Sequence, residues 1–117
     1  MKWPSMAIAL LISLHSVHAQ DRGDPATGRG YLAVCSRAEE VWRTACNFYS
    51  AGMNNMLIAI DMIAGGHKVE CTPGHTTLAD KQRIFLAFLK ANPDLQDRGS
   101  PTLYMQALSE AFPCSPK

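Results

Sequence analysis

Apolar residues recur at intervals of three and four along the first half of the chain. From Tyr31 they fall at Val34, Ala38, Val41, Trp42, Ala45, Phe48, Tyr49, Met53, Met56, Leu57, Ile60, Ile63 and Ala64. That spacing is a helical stripe turned toward a core. Arg37, Glu39, Glu40, Arg43, Asn47, Asn54 and Asn55 form the polar remainder. One unbroken helix over this stretch would be about 50 Å long, more than a small globule covers. The pattern therefore predicts two helices, with a break between Ser36 and Thr44. Ser36 followed by Glu39 is a candidate capping pair, and Thr44 is a second candidate start. Gly65-Gly66 closes the segment, as a glycine past the last turn commonly does.

The second half repeats the period twice. His67 to His75 is rich in turn residues, and Thr76 or Thr77 caps the next helix with Asp80 in its first turn. Leu78, Ile84, Phe85, Phe88 and Leu89 make that helix's buried stripe; Asn92-Pro93 stops it. Asp94 to Gly99 reads as a polar, mobile connection. Ser100 then serves as a cap with Pro101 in the first helical position. Leu103, Tyr104, Ala107, Leu108 and Ala111 line the last helix, which Pro113 ends just before Cys114. No strand pattern and no repeat is present. The expected class is all-α, a small bundle of four to five helices.

The N-terminus follows other rules. Lys2 precedes the apolar run Met6 to Leu14, which is too short to span a bilayer, and Val17-His18-Ala19 offers small or apolar residues to a peptidase. Residues 1–19 are expected to be a signal peptide cleaved after Ala19, and residues 20–30 a flexible lead-in. The mature chain loses Lys2 and so carries ten basic and ten acidic residues. Nothing in that balance calls for nucleic acid or, after cleavage, for a membrane. All four cysteines lie in the mature part, and in an exported chain this short they read as two disulfides.

Four cysteines allow three pairings. The last two helices have similar lengths, which returns Cys114 to the end where Cys71 starts and favours Cys71–Cys114. Cys35–Cys46 remains. On a straight helix those two would be about 16 Å apart, beyond any bridge, so this pairing requires a non-helical stretch within Ser36 to Arg43. Were that stretch helical, the cross-pairings would replace it.

Candidate chemistry is thin. Cys71 and His75, with His67 and Cys114 nearby, could be drawn as a zinc site, yet no CxxC or HExxH spacing supports it. A Cys–His nucleophilic pair lacks an orienting third group. Met53, Met56, Met62 and Met105 read as core filling rather than copper ligands. Glu39 and Glu40 diverge on a helix. No catalytic residue, metal or cofactor is expected, and a stapled helical protein of this kind acts by binding.

Several elements together resemble a known family: Cys46-x-x-Tyr49-x-x-Gly52, Cys71-x-Pro73-Gly74-x-Thr76, Gln82, Phe88-Leu89-x-x-Asn92-Pro93, Ala107-Leu108 and the terminal Ala111-Phe112-Pro113-Cys114. The chain is similar, over Tyr31 to Cys114, to the Rap/Tai family of type VI secretion amidase immunity proteins. It departs from the family at Glu70 and Thr72, where an aromatic and an aliphatic residue usually flank the cysteine, and at Asn54-Asn55, where an acidic residue is usual. The resemblance implies a periplasmic helical protein, often a homodimer. Such a protein would plug the groove of a cognate peptidoglycan amidase of the NlpC/P60 cysteine type without doing chemistry itself. Two polar connections are the candidate contacts. One comprises Gly66, His67 and Lys68; the other comprises Asp94, Leu95, Gln96, Asp97 and Arg98, with Leu95 as an apolar anchor. The alternative from another class is a small periplasmic chaperone or adaptor.

Overall fold

The structure is a computed structural model that describes residues 23–65, 68 and 70–115. The expected signal peptide lies outside the described residues, as do Gly66 and His67 of the first candidate connection. Four α-helices follow in order: α1 Gly28–Cys35, α2 Glu40–Ile63, α3 Leu78–Ala91 and α4 Ser100–Ala111, with a 3-10 turn Pro93–Leu95 between the last two. Among the described residues the only β pairing is the isolated bridge Thr27–Gly99. The all-α class and both sequential disulfides are as expected.

The first break falls at residues 36–39, inside the expected window. Ser36 does not cap α2. Its N–H closes α1 on the Leu32 carbonyl, the Arg37 N–H does so on the Val34 carbonyl, and α2 starts from Glu39 with no side-chain cap. Four non-helical residues suffice because the chain reverses: Cys35 meets Cys46 and Tyr31 meets Ser50, the register of an antiparallel hairpin. The Cys35–Cys46 Cα atoms are 5.1 Å apart. Arg37 folds over the Trp42 ring at 4.3 Å and fills the bend.

Thr77 caps α3. Its hydroxyl oxygen accepts the Asp80 N–H, and the Asp80 carboxylate accepts the Thr77 N–H in return. That backbone hydrogen bond, joined by the Thr77 hydroxyl and Arg83, holds the Asp80 carboxyl below its ordinary range. Asn92 stops the helix by donating its side-chain N–H to the Phe88 carbonyl. At α4 the cap is Gly99 rather than Ser100, one residue earlier than expected. The Ser100 hydroxyl is used elsewhere: it donates to the Pro25 carbonyl.

That contact belongs to a clasp that the sequence pattern did not reveal. The Ser100 N–H donates to Ala26 O (2.8 Å), Gly28 N–H to Arg98 O (3.0 Å) and Arg29 N–H to Gln96 O (2.7 Å). The first turn of a helix leaves its N–H groups without partners, and here the α3–α4 connection supplies the carbonyls. Residues 24–30, expected as a flexible lead-in, are therefore folded against residues 96–100, expected as a mobile connection. Close approach demands glycine at position 30, where a Cβ would lie 1.7 Å from the Asp24 carbonyl oxygen.

The core sits where the four helices meet. Tyr31, Phe85 and Tyr104 stack through it with ring centroids 4.7 and 5.3 Å apart, surrounded by Val34, Met53, Leu57, Leu89, Leu103 and Leu108. Tyr31 donates to Ser50 Oγ (2.7 Å), because the Ser50 hydroxyl proton is already given to the Cys46 carbonyl. Burial pushes both tyrosine phenols above their ordinary pKa.

The two staples close loops of different length, with sequence separations of 43 for Cys71–Cys114 and 11 for Cys35–Cys46. On chain entropy, the Cys71→Ser/Cys114→Ser variant is expected to lose about 4 kcal/mol and the Cys35→Ser/Cys46→Ser variant about 3. Urea unfolding of both variants measures this, and a smaller loss at the longer loop would contradict it.

Candidate docking surface

Helix α2 has two apolar sides. Cys46, Ser50, Met53 and Leu57 face inward and are buried. On the far side Val41, Phe48, Ile58, Met62 and Ile63 stand in solvent, with Phe48 77 %, Met62 78 % and Ile63 86 % exposed. Val41, Phe48 and Ile63 were expected in the core stripe, and Met62 as core filling; the structure corrects all four. The reason is a shortage of partners. Helices of 8, 14 and 12 residues wrap one side of a 24-residue helix and leave the other uncovered.

The outer side forms an ordered row. Val41, Ala45, Phe48, Gly52, Asn55, Ala59 and Met62 alternate by four and three, and every one is exposed. No Asp, Glu, Lys or Arg occurs between Thr44 and Ile60. A surface helix ordinarily carries charge on its outer face. Asn55 is the one polar member of this row; three other polar residues of α2 tie the bundle together instead. Asn54 accepts Lys81 Nζ (2.7 Å), Asn47 accepts Gln82 Nε2 (3.0 Å), and Tyr49 reaches Ser100 (3.1 Å). Gly52 adds a second oddity. A mid-helix glycine costs about 1 kcal/mol against alanine, and here no atom lies within 4 Å of where its Cβ would be.

Phe48 rises between two open depressions. One, of about 280 Å³, is bounded by Phe48, Gly52, Met56 and Pro101. The other, of about 370 Å³, lies toward Thr44, Ala51 and Leu78. Either has more room than the roughly 150 Å³ that accommodates a benzene ring in a protein.

The expected contact residues are differently placed. Lys68 is exposed, and its carbonyl oxygen lies 3.8 Å from Cys114 Sγ. In the second connection Leu95 packs back on the core, and Gln96 is buried and donates to the Leu89 carbonyl (2.8 Å). Asp97 pairs with Arg29 at 2.8 Å, which lowers its carboxyl pKa. Only Asp94, Asp97 and Arg98 point outward there. Lys68 and the second connection lie toward opposite ends of α3, a helix about 21 Å long, so they do not form one site. The Cys71 and Cys114 sulfurs are bonded to each other, which removes the thiolates from the drawn zinc site, and His75 is exposed.

The model of the Rap1a immunity proteins matches residues 27–114. The chain belongs to that family. Immunity proteins bind and neutralise a cognate bacterial effector, and the matched region takes in the clasp from Thr27 onward, both staples and the whole of α2. No curated protein and no solved structure matches the chain. The exposed row on α2 escaped the sequence reading because helical spacing counts apolar residues without saying which are covered. The missing charges between Thr44 and Ile60 were the available signal.

Two substitutions five residues apart test the orientation of α2. Met53→Ala is expected to cost about 2–5 kcal/mol as a buried cavity, while Phe48→Asp stays within about 0.5 kcal/mol of wild type as a surface change. Chemical unfolding reads both, and comparable losses would show α2 turned the other way.

Proposed function

We propose that this chain is an exported immunity protein that inhibits a type VI secretion peptidoglycan amidase in the periplasm, a cysteine amidase of the NlpC/P60 kind. It does so by seating the end of α2 in the enzyme's groove. The observation that carries this reading is the pair Met62 and Ile63, the two most exposed large apolar side chains among the described residues. They stand in the last turn of α2, where Gly65 turns the chain at φ +67° toward exposed Lys68. An apolar anchor beside a polar turn suits a groove that is apolar with a few polar groups.

The staple supports the same reading. Cys71–Cys114 fixes the point where the connection returns to the bundle, which lowers the ordering cost of binding. Two disulfides require an oxidising compartment, and residues 1–19 have the layout of a signal peptide. Occlusion of a groove needs no reactive group from the inhibitor. The uncovered row on α2 also suits the second reading, a small chaperone or adaptor; that protein would suppress aggregation of unrelated clients.

Lysis of cell-wall sacculi by the cognate amidase tests the proposal. The mature protein is expected to stop lysis at equimolar ratio. Met62→Asp/Ile63→Asp should need about tenfold more protein or greater, and Asp94→Ala should behave as wild type. Undiminished lysis with wild-type protein present would overturn it, as would full potency of the Met62/Ile63 variant. Protection of unrelated clients instead would favour the second reading.

A further inference from the structure

We propose that the Cys71–Cys114 staple is a redox switch: the chain inhibits only once these two thiols are oxidised, and a dithiol that reopens the bond disarms it while the helical bundle stays folded. The switch rests on the inhibitory reading of Met62 and Ile63 given above. Its first support is where the core stops. Met53, Met56 and Leu57 are the last residues of α2 in the core or packed against it, and the next along the chain is Ile84 of α3. Met62 and Ile63 therefore stand on a stretch that the core does not hold. The described residues of the connection that follows, 64–77, reach the bundle through little besides the staple. The Cys71 N–H donates to the Phe112 carbonyl (3.0 Å), and the Lys68 carbonyl oxygen lies 3.8 Å from Cys114 Sγ. Their other hydrogen bonds are local, such as the Thr72 N–H to the Glu70 carboxylate and the Thr76 N–H to the Pro73 carbonyl.

The two staples differ in what they hold, which is the second support. Cys35–Cys46 joins helices that are already fastened, because buried Tyr31 bonds Ser50 (2.7 Å) one turn further in and Val34 is buried beside it. Opening that bridge leaves the register of α1 on α2 in place. Opening Cys71–Cys114 leaves one backbone hydrogen bond between the segments it joined. The end of α2 then samples more arrangements, and apparent affinity falls in proportion to the fraction that remains competent to bind. The core around Tyr31, Phe85 and Tyr104 contains neither Cys71 nor Cys114, so the bundle survives.

Access is the third support. Thiol–disulfide exchange needs a thiolate to reach one sulfur of the bridge. Cys114 is exposed and Cys71 half-buried, whereas Cys46 is 6 % exposed behind half-buried Cys35. The outer staple is therefore opened first. The attacking thiolate bonds to Cys114 Sγ and expels Cys71 as a thiolate, which takes up a proton. The second thiol of the dithiol then displaces Cys114, so the reductant leaves as a disulfide and two electrons have passed to the protein. Arming is the reverse, with a disulfide oxidant taking the two electrons. An oxidising compartment thus makes the inhibitor competent, and a reducing one keeps it idle.

Dithiothreitol titration of the mature, oxidised chain, with iodoacetamide trapping and peptide mass spectrometry, reads the order of opening. Cys71 and Cys114 are expected to be alkylated before Cys35 and Cys46. The chain trapped at that stage and the Cys71→Ser/Cys114→Ser variant are each expected to need about tenfold more protein to stop lysis of sacculi by the cognate amidase, with helical circular dichroism retained. The Cys35→Ser/Cys46→Ser variant keeps wild-type potency. Oxidised glutathione, added to chain that was reduced but not alkylated, restores it. Opening of Cys35–Cys46 first, full potency of the trapped or serine forms, potency that oxidation does not restore, or loss of helix with the first bridge would each overturn the proposal. Oxidised chain that fails to stop lysis overturns the inhibitory reading itself, and the switch with it.

Discussion

A helix that is apolar around most of its girth must be covered on all sides or leave part of itself to a partner. Helix α2 is such a helix, and its length sets the terms for the whole molecule. Helices α1, α3 and α4 are short, and they gather on the side that carries Met53 and Leu57. They bury that side well, with Tyr31, Phe85 and Tyr104 filling the space between. They have nothing left for Phe48 or Met62. Burying a large apolar side chain is worth about 1.5–3 kcal/mol, and several such side chains on α2 remain in water.

The other devices of the fold compensate for the small core. Each of the two disulfides fastens a place where the chain reverses or ends. The clasp of residues 24–30 on 96–100 satisfies the open end of the shortest helix and joins the chain's beginning to the α3–α4 connection. Asn47, Tyr49 and Asn54 of α2 act as internal ties, which leaves Asn55 as the one polar residue of the outer row. One imperfection remains in the interior: the Tyr104 hydroxyl is buried without a hydrogen-bond partner among the described residues.

Much of this architecture was legible in the sequence. The helix stops at Gly65 and Asn92 and the break between Cys35 and Cys46 follow from turn residues and helix length, while Thr77 was one of two candidate caps and the sequential disulfide pairing was favoured over the cross-pairings. The clasp was not legible, because backbone-to-backbone pairing leaves no side-chain pattern, and Asp24 to Gly30 looks like linker by composition. Residues 94–98 misled for a related reason: their polarity suggested a free loop, whereas Gln96 is polar in order to hold the Leu89 carbonyl from inside. The outer row misled because periodicity reports that apolar residues share a face and is silent on whether that face has a partner. The motifs that carry the family resemblance are staples, stops and core positions, so they speak to the scaffold more than to the contact.

Fold and family meet in a division of labour along one helix. The middle of α2 carries an uncovered apolar row, while its end carries two bare apolar side chains, Met62 and Ile63. Hydroxyl-radical footprinting by mass spectrometry reads these regions separately in one experiment on the mature protein. The account predicts that Met53 resists labelling throughout, Phe48 is labelled, and Met62 and Ile63 are labelled until the cognate amidase is added. Labelling of Met62 and Ile63 that the amidase does not diminish, at saturating enzyme, would contradict it.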